Sequence, residues 1–306
     1  MTGSAPAIAI QVAGLVIAPL VPGTIQTIKA RLQGRRGASP LQPYRELRRL
    51  WGKQTVAPYD TTFVYRMVPS LSASALACCV LVVPVGGSTI GWFGTDMLVL
   101  IGLLALARFA TAAAAWDPGG GFSLMAAGRD LMFSVFAEPL LLLALVLVAL
   151  GSHSTDLVRM AAAASDAVVA STPAHWCAAL AFGLAVLVET GRQPIDNPDT
   201  HLELTMVHEG PLLEYAGRDL AMLQWSAAAR HWLVLVLAAD LFVPLPSTAP
   251  WSLLVLAAAV AALCAAVALV ETSLAKMRIL RVPVLLGAGV ATCVIGLASW
   301  IAQGAA

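Results

Sequence analysis

The sequence predicts an all-α integral membrane protein: a bundle of about eight transmembrane helices with amphipathic helices in its cytoplasmic loops. Three observations lead there. Hydrophobic residues make up 59% of the 306, charged residues only 11%, and mean hydropathy is +0.83, whereas a soluble domain carries about 25% charge. The apolar residues come in runs of roughly 20, the length that crosses a bilayer as a helix. The runs are rich in alanine and leucine, as in Leu141–Leu150 and Leu254–Leu269. That composition suits helices, whose backbone satisfies itself in lipid, rather than barrel strands.

In chain order the spans fall at about 6–26, 67–87, 94–115, 131–150, 173–190, 220–244, 251–270 and 283–302. Lys and Arg follow the first run instead of preceding it, which favours a retained span over a cleaved leader. The whole of 1–306 reads as one polytopic membrane domain with two long charged loops, 27–66 and 189–219. Within the first, Pro43–Trp51 reads as a basic amphipathic helix. Leu47, Leu50 and Trp51 share one face, and Arg45, Arg48 and Arg49 lie elsewhere. Such a helix fits the headgroup surface and equally fits a docking surface for a cytoplasmic partner. Span two has blurred ends, because Pro84 and Gly86-Gly87 interrupt it.

Orientation follows from the basic residues. Lys29, Arg31, Arg35, Arg36, Arg45, Arg48, Arg49, Lys53 and Arg66 follow span one. Arg108 and Arg129 bracket the loop after span three, Arg192, Arg218 and Arg230 follow span five, and Lys276, Arg278 and Arg281 follow span seven. With eight spans all of these fall on one side, and only Arg159 of the 18 falls on the other. The net charge of +1 gives no argument for nucleic acid. The five cysteines (Cys78, Cys79, Cys177, Cys264 and Cys293) sit in apolar runs without zinc or iron–sulfur spacing, as buried thiols used for packing do.

Charge inside the spans calls for a reason. An ionised carboxylate at mid-bilayer costs at least about 2.5–3.5 kcal/mol. Glu138 in span four and Asp240 in span six should therefore face the bundle interior, protonated or paired, unless Asp240 sits solvated at the far interface. Glu271 ends span seven. In the second loop, Asp196-Asn197-Pro198 reads as a helix start, with the helix running to about Glu209 and stopping at Gly210-Pro211. Asp199 and Glu203 share a face, and His201 and His208 lie two turns apart. Glu189, three residues from Arg192, is expected to couple to it, the guanidinium lowering the carboxyl pKa and burial raising it. With Glu138, Glu189 forms a candidate file of protonatable groups leading inward. A plain solvated loop with an ion-paired helix is the alternative reading. The density of acids and bases beside a membrane exit argues against it.

The pattern Glu189-x-x-Arg192-x-Pro194-x-Asp196, followed by Glu203-Leu204 and Glu214-Tyr215-x-Gly217, resembles the subunit 1 (H-type) family of respiratory complex I. The eight spans, the basic first loop and the glutamate in span four fit the same family. One branch is nearer. The run from Asp196 through Thr200-His201-Leu202-Glu203 to His208-Glu209, then Leu213-Glu214-Tyr215-x-Gly217-Arg218-Asp219-Leu220, is similar to the membrane anchor of formate hydrogenlyase and related group 4 nickel–iron hydrogenases. His201 and Leu202 stand where complex I proper is more acidic, which disfavours a quinone site. Gln224 stands where close relatives are expected to carry a carboxylate.

What the resemblance implies is an anchoring and ion-coupling subunit of a multi-subunit oxidoreductase, with no cofactor of its own. A nickel–iron centre and iron–sulfur clusters would belong to partners: a hydrogenase-like large subunit, a small subunit and iron–sulfur proteins. Antiporter-like membrane subunits and the lipid bilayer would surround it. The location implied is the cell inner (plasma) membrane, with charged loops cytoplasmic and both termini outside. The proton or ion path would use Glu138, Glu189, Arg192, Asp196, Asp199, Glu203, His208, Glu209, Glu214 and Asp240. Docking would use Arg45, Arg48, Arg49, Arg192, His201 and Arg218. The alternatives are a quinone-site subunit of a complex I-like NADH dehydrogenase and a stand-alone ion transporter. A transporter is expected to show paired repeats, and none is visible.

Overall fold

The structure, a computed structural model, describes residues 5–59, 61–90, 94–196, 207–246 and 250–304. Twelve α-helices are assigned among them: α1 (Ala5–Ile17), α2 (Leu20–Leu32), α3 (Gln42–Trp51), α4 (Phe63–Val82), α5 (Met97–Trp116), α6 (Gly121–Ser152), α7 (Leu157–Ala164), α8 (Ala167–Ala170), α9 (Pro173–Glu189), α10 (Gly217–Phe242), α11 (Trp251–Ser273) and α12 (Val282–Gly304). No strand is assigned among the described residues, which hold only isolated bridges, Val85 to Ser88 and Asp96 to Asp156. Six helices are long and apolar enough to cross a membrane, seven if α1 and α2 count as one bent span. The 17-residue α9 is the shorter eighth. Every expected span is thus a helix or a bent pair.

The departures have local causes. Span one bends by 49° between α1 and α2. Pro19 sits at the break and Pro22 in the next turn, where a ring nitrogen cannot donate to the preceding turn. Span four begins ten residues earlier than its apolar run, and α6 has 32 residues, about 48 Å at helical rise, longer than the roughly 30 Å hydrocarbon core. Arg129 and Asp130 hid that extension from a hydropathy reading. Span two ends at Val82, and Pro84 to Ser88 form a tight turn in which Gly86 and Gly87 take left-handed φ of 57° and 79°. The stretch after α6, read as a loop, holds α7 and α8. The expected helix from 197 to about 209 lies mostly outside the described residues. Its last part, Val207–Glu209, is not helical, and Gly210–Leu212 is a 3-10 turn.

The bundle is built around α10, the most buried of the long spans, whose second half from His231 to Leu241 is buried throughout, while α11 and α12 leave most of their surface facing outward. Leu254, Leu269, Val284 and Ile295 are among the large exposed hydrophobics that lipid would cover. Small residues let helices close. A Cβ at Gly289 would lie 2.9 Å from Leu140 Cδ2, and one at Gly296 2.8 Å from Cys177 Cβ. These glycines, seven apart on α12, seat it against α6 and α9. Gly296→Val is therefore expected to cost about 1–3 kcal/mol through overpacking, read as a lowered thermal midpoint of the detergent-solubilised chain. An unchanged midpoint would mean that α12 is not seated there.

The two ends of the bundle differ in chemistry. At the far end three acids serve as helix caps: Asp96 accepts from Leu98 N, Asp156 from Val158 N, and Asp166 from Val168 N. Backbone bonds Met97 N to Thr155 O and Leu157 N to Thr95 O stitch this end together. The charged loops gather at the other end. There α3 lies along the bundle with Leu50 buried and Arg45, Arg48 and Arg49 exposed. Its Tyr44 hydroxyl donates to Val16 O at 2.6 Å.

Candidate functional site

Two buried charge networks occupy the charged end. The first centres on Glu189, the last residue of α9. Its Oε2 accepts from Arg108 Nη2 of α5 at 2.7 Å and from Arg230 Nη1 of α10 at 3.1 Å. The Arg108 side chain is 3% exposed and faces two more carboxylates of α6. Glu138 Oε1 lies 3.8 Å from Nη1, and Asp130 Oδ2 lies 4.0 Å from Nε. A cavity of about 120 Å³ opens beside Arg108, Asp130, Glu189, His208 and Arg230, large enough for water with several polar partners.

His208 joins this network to the loop. Its Nε2 lies 3.1 Å from Val188 O and 3.5 Å from Asp130 Oδ1, and its Nδ1 lies 3.6 Å from Asp196 Oδ2. A carbonyl can only accept, so the ring carries its proton on Nε2. A second proton on Nδ1 would face the Asp196 carboxylate. The sequence permits this packing because Gly191 turns the chain with φ 60°. A Cβ there would meet the imidazole at 2.6 Å.

Asp196 clasps the loop. Oδ1 accepts from Lys276 Nζ at 2.8 Å, and Oδ2 accepts from Val207 N at 3.1 Å and His208 N at 3.4 Å. Burial pushes its carboxyl pKa up, but the hydrogen bonds and charges of His208 and Lys276 outweigh it and hold the group well below the usual carboxylate range. Met277 N donates to Pro194 O alongside. Tyr65 and Tyr215 fix the next stretch: their rings stack 4.2 Å apart, and the Tyr65 hydroxyl donates to Glu214 O at 2.6 Å.

The second network lies between α2, α10 and α11. Glu271, fully enclosed, pairs with Arg192 Nη1 at 3.1 Å and Lys29 Nζ at 3.3 Å, while Arg192 Nη2 sits 3.4 Å from His231 Nδ1. The expected Glu189–Arg192 partnership is therefore not the one formed. Three residues apart in sequence, they diverge at the Gly191 turn, Glu189 to Arg108 and Arg230, Arg192 to Glu271. Arg192, 6% exposed, is also absent from the surface that docking requires.

The remaining expected residues are dispersed. Glu138 is half-buried and reaches Glu189 only through Arg108. The Glu214 carboxylate packs against Gly120 at the start of α6. Glu209 and Arg218 are exposed, as are Arg45, Arg48 and Arg49. Asp199, His201 and Glu203 lie outside the described residues. Asp240 is buried at the opposite end of α10, apart from both networks. Sequence reasoning missed Arg108, Asp130, Arg230, Lys29, His231 and Lys276 as site residues. Arg108, Arg230, Lys29 and Lys276 had entered only as charges for orientation. Arg230 lies within α10, not in a loop. A basic residue inside an apolar run is the signal that could have found Arg108.

Residues 5–300 match the family described as NADH dehydrogenase. The chain is 32% identical over 291 residues to formate hydrogenlyase subunit 4 of Escherichia coli (strain K12), covering 89% of this chain and 91% of that one. It is 33% identical over 232 residues to hydrogenase-4 component C of the same organism, covering 75% and 72%. A chain in the structure of the membrane-bound sulfane sulfur reductase, an archaeal respiratory membrane complex, superposes with a TM-score of 0.83, covering 96% of this chain and 98% of that one. At 19% identity that likeness speaks to the fold alone.

Proposed function

The chain belongs to the NADH dehydrogenase (complex I subunit 1) family, and from that premise we propose that it is the anchoring and ion-coupling subunit of a complex I-related hydrogenase of the formate hydrogenlyase type. The observation that carries this reading is the continuous run of charge from loop to bundle: Lys276, Asp196, His208, Asp130, Arg108, Glu189 and Glu138. A docked cytoplasmic arm would act on the outer end of that run. The basic face of α3, Arg218 and the loop carrying His201 are the surfaces proposed to receive it. Nickel–iron and iron–sulfur chemistry is assigned to the hydrogenase-like and iron–sulfur partners, and this chain's residues hold and move the ion.

His208 stands between Asp196 and Asp130, its Nδ1 3.6 Å from the first and its Nε2 3.5 Å from the second, and so joins the loop that meets the partner to the acids of the bundle. Asp130, 3.5 Å from its Nε2, and the cavity beside Arg108 offer the next positions. Glu138, half-buried, is the exit toward neighbouring antiporter-like subunits. Glu189 fixes the two guanidiniums that hold those carboxylates apart. Asp199, Glu203 and Glu209 are assigned to the entry side, with the loops cytoplasmic.

The test is purification of the tagged chain in mild detergent, with mass spectrometry and metal analysis of what accompanies it. A hydrogenase-like subunit with nickel and iron in fixed ratio is expected. In that complex Glu138→Gln should leave assembly and hydrogen chemistry intact while cutting coupled ion movement in liposomes about a hundredfold or more, the low end of what a positioned proton-transfer group contributes. A chain that purifies alone and folded would instead indicate a stand-alone transporter. A quinone-site subunit is the second reading, favoured by an apolar cavity of about 530 Å³ between α1, α2, α10 and α11. Quinone reduction by the purified complex would decide for it.

A further inference from the structure

Of the buried acids among the described residues, Asp240 is the one that the charged-end networks leave unused. It lies two residues from the end of α10, ten residues beyond Arg230, which is about 15 Å along the helix. It is 1% exposed. Neither carboxyl oxygen makes a hydrogen bond of good geometry; the Gly86 backbone offers a weak one at most. Among the described residues no ion pair reaches it. A buried, unpaired carboxylate costs several kcal/mol or more as an anion, so it takes a compensating positive charge or a proton.

Beside it lies a cavity of about 280 Å³, where a water occupies about 30 Å³ in the liquid. Its floor is buried and polar, with Ser88 at 7% and Ser252 at 4% exposure. Its rim, at Ala162, Ser165 and Pro246, is exposed. The left-handed Gly86–Gly87 turn forms one wall, and Gly87 borders open space, since a Cβ there would meet nothing within 4 Å. Asp240 is the one titratable group among the described residues lining the cavity. Arg159 on α7 is exposed and does not pair with it. His175 of α9 rests its ring 5.3 Å from Phe242, and Asp156 and Asp166 are engaged as caps.

We propose that Asp240 is a second, separate proton-binding site, which takes a proton from and returns it to water entering from the end opposite the charged loops. The step is a simple acid–base exchange, carboxylate plus proton to carboxylic acid, with cavity water as donor and acceptor. Ser88 and Ser252 supply hydroxyls that can solvate either form. The site does not depend on the hydrogenase assignment, since it needs no docked partner.

Infrared difference spectroscopy on the full chain, with whatever subunits accompany it, in lipid nanodiscs, tests this directly. Wild type is expected to show one protonated-carboxyl C=O band that bleaches as pH rises and is lost in Asp240→Asn. Asp240→Glu should restore a titrating band at a shifted frequency, which guards against a folding defect. Glu138→Gln should leave the band's pH midpoint unmoved. Three results would overturn the proposal. Spectra of wild type and Asp240→Asn that match at every pH mean that Asp240 binds no proton. A band that never bleaches means a sealed structural acid. A band bleached by added Na⁺ at constant pH, with K⁺ inert, means the site holds a metal cation instead of a proton.

Discussion

Glu189→Ala is expected to remove about 3–5 kcal/mol of stability, because breaking a buried ion pair leaves its partners uncompensated. Two are left here. The Arg108 and Arg230 side chains, 3% and 14% exposed, share the one Glu189 oxygen. Without it they repel each other across a low-dielectric interior. The effect would appear as poor accumulation in the membrane and a sharply lowered thermal midpoint in detergent. Glu189→Gln combined with Arg230→Met should recover part of the loss, since the second cation is then gone and Arg108 still faces Asp130 and Glu138. A Glu189→Ala chain that melts with wild type would sink the whole account of the charged end.

The second large effect belongs to the other network. Glu271→Ala leaves both Lys29 and Arg192 buried without their shared carboxylate, again about 3–5 kcal/mol. Lys29→Met should be milder, because Glu271 keeps Arg192 at 3.1 Å as its counter-charge and methionine retains the length of the lysine stem. Comparing thermal midpoints of the two variants checks the ranking. Equal losses would mean that Lys29, not Arg192, is the partner that balances the acid.

The spans were legible because each is one local composition read over about 20 residues. The amphipathic helix ending at Trp51 was legible from the spacing of Leu47, Leu50 and Trp51 against Arg45, Arg48 and Arg49. What the sequence does not carry is direction around a helix axis and pairing across distance. Glu189 meets Arg108 across 81 positions and Arg230 across 41, and Arg192 meets Glu271 across 79. Proximity in sequence suggested Glu189 with Arg192, and a glycine with left-handed φ separated them. Lys29 illustrates the same limit. It counted as a loop charge for orientation, yet the last turn of α2 buries it against Glu271. Glu138 was correctly read as facing protein, since its carboxyl reaches Arg108, while the guanidinium between it and Glu189 was not foreseen.

Between His231 and Asp240, α10 runs through Trp232 to Ala239 without an ionisable side chain, all of it buried. That is eight residues, about 12 Å. Cavities with polar linings lie toward either end. A membrane potential does about 2.3 kcal/mol of work per elementary charge per 100 mV. With water filling both ends, that drop is borne by the apolar waist instead of the roughly 30 Å of hydrocarbon, so the local field is about two and a half times the bilayer average. The middle of α10 is then the dielectric of a capacitor whose plates are the charged networks and Asp240. Any charge crossing it experiences nearly the full voltage of the membrane.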